Sequence, residues 1–250
     1  MATTGNGRRN DAPTEAEAYA ATDAAAGKAG SEASGEQTAA VATGGALTGW
    51  RHGATWTYLV MLVASAVALF VSFILSAETL QMARHPGVKL GCDVNGVVSC
   101  TTVAQAWQSE IIHFGDLSFP NAFFGIAAES VFVTVAVIGL ARVKVPRWFA
   151  VCTWLGGLAA LLYAYWLFSQ SMYVIHALCP WCLALMFSTT VQFMGLTHAT
   201  VSVQGLPSAG SGSASGLRKC YRLGFDLMVD ALWIVVLVAL ILLQYGAVLF

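Results

Sequence analysis

The chain has 250 residues, of which 57% are hydrophobic and only 10% are charged, so an ordinary soluble domain is excluded. Its formal net charge of −1 and the lack of a basic patch argue against nucleic-acid binding. This composition predicts an all-α, polytopic membrane protein.

Residues 1–50 are rich in small and polar residues and have almost no large hydrophobic side chains. We expect a disordered cytoplasmic tail, because this composition cannot bury enough apolar surface to fold. The apolar stretch that follows is too long for the h-region of a secretory signal. It is therefore expected to remain as an uncleaved membrane anchor.

Five segments are long and apolar enough to cross a bilayer whose hydrocarbon core is about 30 Å thick. They are about Trp56–Leu80, Pro120–Ala141, Trp148–Ser169, Cys179–Leu196 and Leu227–Val248.

The basic residues favour one orientation of these five spans. Those before the first span, between the second and third, and before the fifth are Arg51, Arg142, Lys144, Arg147, Arg218, Lys219 and Arg222. All of them share one side if the spans alternate, and the positive-inside rule makes that side cytoplasmic. The loops 82–119 and 170–178 then face the opposite, oxidising side.

The outer loop 82–119 is the longest connection between spans, and long loops in compact proteins are often functional. It contains Cys92 and Cys100, separated by a Gly- and Asn-containing stretch that can turn back on itself. The seven intervening residues suit a small surface disulfide.

A short amphipathic helix is predicted after this stretch. Ser99 is its expected N-cap, and Val103 and Trp107 would share one face at the membrane surface. Pro120 then suits the first helical position of the second span, with Asn121 directly after it.

The motif Cys179-Pro180-Trp181-Cys182 opens the fourth span. A helix N-terminus favours a thiolate, and the two-residue spacing lets both sulfurs share one turn, so this pair can open and close as a disulfide. Two other readings of the motif are a zinc half-site, which needs a second ligand pair, and two incidental buried cysteines.

Together, one cysteine pair in a loop and one at a membrane helix predict a relay in which disulfide exchange moves electrons between compartments. Two alternatives remain. The four cysteines could form one thiolate metal site in a sensory membrane protein, or the disulfides could be structural. Of the other cysteines, Cys152 is expected to be a small packing residue and Cys220 a reduced cytoplasmic thiol.

The C-terminal part is predicted to contain a cytoplasmic linker, residues 199–226, and a fifth transmembrane helix, residues 227–250. The stretch Gly205–Gly216 within the linker is rich in Gly and Ser, which predicts flexibility.

These residues resemble the vitamin K epoxide reductase family. The motifs that carry the resemblance are Cys92-Asp93-Val94, Ser99-Cys100, Pro120-Asn121 followed by Phe123-Phe124-Gly125, and Cys179-Pro180-Trp181-Cys182. The resemblance covers roughly residues 56 to 197, and two dithiols at these spacings are more specific than any one motif.

The resemblance implies a four-helix bundle around a quinone, residues 51–198, with a fifth helix as in bacterial homologues. The quinone would be menaquinone or ubiquinone. Many of those homologues carry a fused thioredoxin-like domain after the last helix, whereas this sequence stops at Phe250. We therefore expect a separate, DsbA-like thioredoxin-fold disulfide carrier as partner.

Roles for individual residues follow from the same resemblance. Cys92 would form the mixed disulfide with the carrier, Cys100 would attack Cys179, and Cys182 would react with the quinone. Asn121 would donate a hydrogen bond to a quinone carbonyl, and Phe124 would also belong to the quinone site. The expected activity is reoxidation of the carrier in the cell membrane, with two electrons passed to the quinone; no metal ion is expected to be required.

Two departures from the animal enzymes weigh against epoxide chemistry. These enzymes have a tyrosine where this chain has Met186, and a serine is often found where this chain has Ala106. Reduction of a quinone or epoxide for its own sake nevertheless remains a rival within the same class.

Three further ionisable residues have no assigned role. Glu129 lies about two turns into the second span, where a carboxylate is costly. It could relay protons to a reduced quinone, or it could be protonated or bonded to a neighbour without further function. His113 and His176 lie in the outer loops and could accept protons near the dithiols.

Overall fold

The structure is a computed structural model that describes residues 50–115, 117–206 and 212–249. The predicted tail, apart from Trp50, lies outside these residues, as do positions 207–211 of the predicted linker. The described part is all-helical except for one short hairpin. This confirms the fold class expected from the sequence.

Seven α-helices and two strands follow one another along the described residues. They are α1 (Ala54–Arg84), α2 (Cys100–Ala104), β1 (Ile112–Phe114), β2 (Leu117–Phe119), α3 (Asn121–Leu140), α4 (Arg147–Gln170), α5 (Pro180–Ser202), α6 (Gly212–Leu223) and α7 (Phe225–Leu249). A single π-helical turn, Ser171–Ile175, extends α4.

Helix α1 packs against both α3 and α5 and forms the centre of the bundle. Its buried side includes Ala64, Ser65, Ala68 and Ser72, which recur at helical spacing. Small side chains at such positions let membrane helices approach closely. The core that these helices share consists of Tyr58, Met61, Phe132, Val135, Ala136, Leu196 and Ala199.

Within the described residues, four helical segments are long and apolar enough to cross a membrane: Ala54–Arg84, Asn121–Leu140, Arg147–Ile175 and Phe225–Ala247. Helix α5 has 23 residues but is more polar. Thr189, Thr190 and Gln192 are buried in it, which places part of its polar surface inside the bundle instead of against lipid. The structure therefore supports a membrane protein with four candidate spans. The predicted span Cys179–Leu196 is not among them, although its helix, α5, packs against α1 and α4 in the bundle.

The outer loop differs from the sequence prediction in two respects. Helix α2 has its expected N-cap, Ser99, but it ends at Ala104, and Trp107 begins a separate 3-10 turn. The predicted single helix through Trp107 is therefore wrong, because the extended backbone at Ala106 interrupts it. The antiparallel hairpin of β1 and β2, which pairs Ile112 with Phe119, was not predicted.

The C-terminal region also differs from the prediction. Helix α6 begins at Gly212, inside the stretch Gly205–Gly216 that was predicted to be flexible. Helix α7 packs against the end of α4, where the Tyr245 hydroxyl donates a 2.9 Å hydrogen bond to the Met172 carbonyl. Such a bond ties the last helix to the segment that leads into α5.

Candidate active site

The loop cysteines Cys92 and Cys100 form a disulfide, as the sequence predicted. Asp93 organises the turn between them. Its Oδ1 accepts 3.0 Å hydrogen bonds from the Ser99 hydroxyl and the Thr101 backbone N–H, and its Oδ2 accepts one of 2.6 Å from the Thr101 hydroxyl. The disulfide loop is therefore held in one conformation by a single carboxylate.

The charge of Asp93 is favoured by these bonds. Burial raises its pKa, but the hydrogen bonds from Thr101 and Ser99 lower it more, so that the pKa lies below its usual value of 3.8. The residue is consequently ionised in any neutral medium, which strengthens each bond that it accepts.

A backbone bridge joins this loop to the chain just before α5. Ser99 N–H donates to the Leu178 carbonyl at 3.0 Å, and Leu178 N–H donates to the Val97 carbonyl at 2.7 Å. These bonds form a parallel bridge between Val98 and Leu178. Cys179 is the next residue after Leu178, and Cys100 comes two residues after Val98. The bridge therefore brings the two cysteine motifs together.

Cys179 and Cys182 are free thiols at the start of α5. Cys179 is the N-cap, and its Sγ accepts a 3.3 Å hydrogen bond from the Cys182 backbone N–H. An Sγ atom at this position receives both an N–H bond and the positive end of the helix dipole, and both stabilise a thiolate. The predicted position of Cys179 and Cys182 at the start of a helix is therefore confirmed.

The Sγ of Cys179 lies 3.2 Å from the Sγ of Cys100. Cys100 and Cys179 are only 1% and 2% exposed, whereas Cys92 is partly exposed. A thiolate at Cys179 is therefore next to the buried sulfur of an intact disulfide. Thiol–disulfide exchange needs this kind of approach, and here it requires no large movement of the backbone.

A cavity of about 270 Å³ opens directly beside these sulfurs. Its lining is mostly apolar and comes from α1, the outer loop, α3, α4 and α5; it includes Cys182, Asn121, Phe124, Tyr163, Met186 and Glu129. The size is near the lower end of small-molecule sites, roughly 300 to 1,000 Å³. A flat, largely apolar ring with a few polar contacts suits this space, and a quinone headgroup is such a ring.

Asn121 is the first residue of α3 and lines the cavity, whereas Pro120, which was predicted at the first helical position, is the N-cap. One N–H of its amide donates to the Gln108 carbonyl of the outer loop, and its side chain also bonds with Tyr163. Gln108 is 3% exposed and donates in turn to the Gln170 side chain at 3.3 Å. The loop, α3 and the end of α4 are thus connected through Asn121.

Three residues at the site were not identified from the sequence as functional candidates. Tyr163 and Gln108 gave no signal, since an aromatic residue in an apolar helix and an amide in a loop are common. Glu78 could have been found, because it is a carboxylate near the end of an apolar span. Its Oε1 lies 3.6 Å from the Cys92 Sγ, and Trp181 hydrogen-bonds its carboxyl group.

None of the other cysteines and histidines whose side chains the structure describes lines the cavity. Cys152 is exposed on α4, so the prediction that it fills a packing position is wrong; Cys220 is an exposed free thiol. His176 adopts a left-handed conformation, φ 56°, in the turn before Cys179, and its side chain is exposed. The side chain of His113 lies outside the described residues.

Comparison with known families gives one match. The model of the Vitamin K epoxide reductase family matches residues 59–197, more than half of the chain. No curated protein matches the sequence. The chain therefore belongs to the vitamin K epoxide reductase family, whose members are quinone-reducing thiol oxidoreductases.

Proposed function

We propose that this protein reoxidises an extracytoplasmic thioredoxin-fold carrier and passes the two electrons through its cysteine pairs to a quinone. The observation that carries the proposal is the 3.2 Å separation of the Cys100 and Cys179 sulfurs beside the cavity. The reaction takes place on the side of the membrane opposite to the clustered basic residues.

The first step is attack by a thiolate of the reduced carrier on Cys92 of the loop disulfide. Cys92 is the more accessible sulfur of the pair, since Cys100 is only 1% exposed. The Cys92–Cys100 bond breaks and Cys100 leaves as a thiolate. The second carrier thiolate then displaces Cys92, so the carrier leaves as a disulfide and the loop pair is reduced.

The second step transfers the disulfide bond inward. The Cys100 thiolate attacks Cys179 of an oxidised Cys179–Cys182 pair, and Cys182 leaves as a thiolate. Cys92 then attacks Cys100, which restores the loop disulfide and releases Cys179. An oxidised loop pair next to two free α5 thiols is the product of this step, and the same cysteine states occur in the structure.

The last step reduces the quinone. The Cys179–Cys182 pair gives up two electrons and two protons and closes as a disulfide, and the quinone becomes a quinol. Cys182 and Asn121 both line the cavity. The amide N–H of Asn121 that does not donate to Gln108 can turn from Tyr163 to a quinone carbonyl oxygen.

The test uses the purified full-length protein with a reduced thioredoxin-fold protein and a soluble quinone. We expect oxidation of the carrier to require quinone, and Cys182→Ala to abolish it. The matched control is Cys152→Ala, which removes an exposed cysteine of the same chain and should retain activity. Full oxidase activity of Cys182→Ala would refute the proposed route.

A second candidate, a thiolate metal site, is favoured by one observation. Ligand atoms of Glu78, Cys92 and Cys100 lie within 4.8 Å of one another. In the oxidised loop both sulfurs are bonded to each other, so only the reduced protein could bind a thiophilic ion in this way. Stoichiometric zinc in the reduced protein, with no quinone reduction, would support this candidate.

A further inference from the structure

One of the carboxyl groups in the cavity wall has no part in the cysteine relay. Glu129 lines the cavity from α3 and is 3% exposed. The side chains of Gln192 and Thr189 lie beside the carboxyl group, but its buried Oε2 has no hydrogen-bond partner among the described residues. Buried polar atoms are nearly always paired, so this residue of the cavity wall has hydrogen-bonding capacity that the protein does not use, and a rotation of the carboxyl group is needed to turn Oε2 toward a ligand.

The distance along α3 between Asn121 and Glu129 is close to the length of a quinone ring with a hydrogen bond at each of its two oxygens. Both residues line the cavity on the same face of α3, and they are eight residues apart, which is about 12 Å along the helix. Cys182 and Thr189 mark a similar interval of about 10 Å on α5. A ring that accepts a hydrogen bond at each of its two opposite oxygens spans a comparable distance. One oxygen can therefore lie near Asn121 and Cys182 while the other reaches Glu129.

The charges around the cavity favour a neutral acid at this position. None of the residues that line the cavity in the described part of the chain is a lysine, arginine or histidine. A carboxylate without a nearby cation is costly in a membrane helix, whereas the neutral acid carries a proton that it can give away.

We propose that Glu129 is the catalytic acid that protonates the quinone oxygen remote from Cys182. This inference rests on the proposed function, because it assigns a residue to the quinone step. As the Cys179–Cys182 pair closes, two electrons enter the ring. The carboxyl O–H bond of Glu129 breaks, and a new O–H bond forms on the remote oxygen.

The proton balance is complete without a further reactant. Closure of the Cys179–Cys182 disulfide releases two protons, and formation of the quinol consumes two. One quinol proton reaches the oxygen at the Asn121 end, and the other comes from Glu129. Glu129 then regains a proton from water, which has received one of those released by the thiols.

A structural role for Glu129 makes a different prediction. If the carboxyl group only satisfies Thr189 and Gln192, a glutamine in its place would keep the shape and the hydrogen-bonding capacity. If it donates a proton, glutamine would bind the quinone equally well but would fail in the chemical step. Glu129→Gln therefore separates the two roles.

The experiment measures ubiquinone-1 reduction by the full-length protein, with dithiothreitol as reductant. We expect Glu129→Gln to lower kcat about a hundredfold with little change in KM and to show a larger solvent deuterium isotope effect. The fall of kcat at high pH that deprotonation of Glu129 causes should be lost, while the pH dependence that comes from the thiols of Cys179 and Cys182 should remain. Glu129→Asp should restore part of the rate. Ser130→Ala is the matched control, because Ser130 is the next residue, is exposed, and donates its hydroxyl back to Ile126.

Folding of each variant is checked through a step that does not involve Glu129, the exchange between Cys100 and Cys179. Wild-type kcat and an unchanged pH profile for Glu129→Gln would overturn this inference and leave the proposed function intact. A wild-type protein that exchanges its disulfides but reduces no quinone would overturn both.

Discussion

The sulfur atoms of Cys100 and Cys179 lie 3.2 Å apart although the residues are 79 positions apart in the chain. Their proximity depends on the backbone bridge between Val98 and Leu178, which fixes the outer loop against the start of α5. A contact of this kind is short enough for a covalent bond to form after a small displacement of either side chain.

We expect Cys92→Ala to accumulate a Cys100–Cys179 disulfide. Without Cys92, the loop has no thiol that can attack Cys100 and release Cys179, so the mixed disulfide should persist. Mass mapping of disulfides in the purified variant measures this directly. Cys152→Ala is the control and should keep the Cys92–Cys100 bond. A Cys92→Ala protein with free Cys100 and a closed Cys179–Cys182 pair would contradict the relay order.

Glu78→Gln should slow the return of the loop pair to its oxidised form. Cys92 must lose a proton before it attacks Cys100, and the Glu78 carboxylate, 3.6 Å from its Sγ, is placed to accept that proton. We expect the rate at which the Cys100–Cys179 mixed disulfide decays to fall about tenfold to a hundredfold. Acid quenching followed by gel electrophoresis measures this rate. In Glu110→Gln, which changes a carboxylate of the outer loop, the mixed disulfide should decay at the wild-type rate.

Much of the fold could be predicted because a long apolar stretch indicates a membrane span directly. The α5 helix shows where this reasoning ends. Its polar residues Thr189, Thr190 and Gln192 face neighbouring helices, and hydropathy cannot distinguish this burial from exposure to water. The short hairpin was missed because its strands have three residues each, which is too few to show the alternation of apolar and polar side chains that predicts a strand.

The site was predictable only in part, for a related reason. Cysteine spacing and a helix start identify each pair, and the position of Asn121 follows from the family motif. The contacts of Asn121 with Gln108 and Tyr163, however, join segments that are distant in the chain. Such contacts arise from packing, and a single sequence carries no record of them.

The stability of the outer loop should depend on pH through Asp93. Because the pKa of Asp93 is lower in the folded protein than its usual value of 3.8, its carboxylate stabilises the loop above that value. This contribution is lost as the pH falls through the folded-state pKa. Hydrogen exchange of the Thr101 amide, corrected for its intrinsic rate, should show protection that falls in this acidic range.

Asp93→Asn tests the same carboxylate at neutral pH. The amide keeps one oxygen acceptor but has an N–H donor in place of the other and carries no charge, so the bond from the Thr101 hydroxyl is lost and the remaining bonds are weaker. Protection of the Thr101 amide should therefore decrease by about 1 kcal/mol, a value reduced for solvent exposure. The variant should also lose the acid-dependent change. Equal protection at neutral pH in wild type and variant would show that the carboxylate does not hold the loop.

The contact between α4 and α5 should tolerate alanine at Gly156 but not at Gly157. A Cβ at Gly157 would lie 2.7 Å from Leu196 Cδ2 and 3.2 Å from Phe193 Cδ2, whereas a Cβ at Gly156 would meet nothing within 4 Å. Leu196 is 3% exposed and packed in the core, so it cannot move aside freely. We expect Gly157→Ala to lower the free energy of unfolding by about 1 to 3 kcal/mol. Gly156→Ala should leave it equal or slightly higher. Thermal unfolding of the two variants in the same detergent measures the difference, and equal melting temperatures would mean that α4 and α5 are not packed as described.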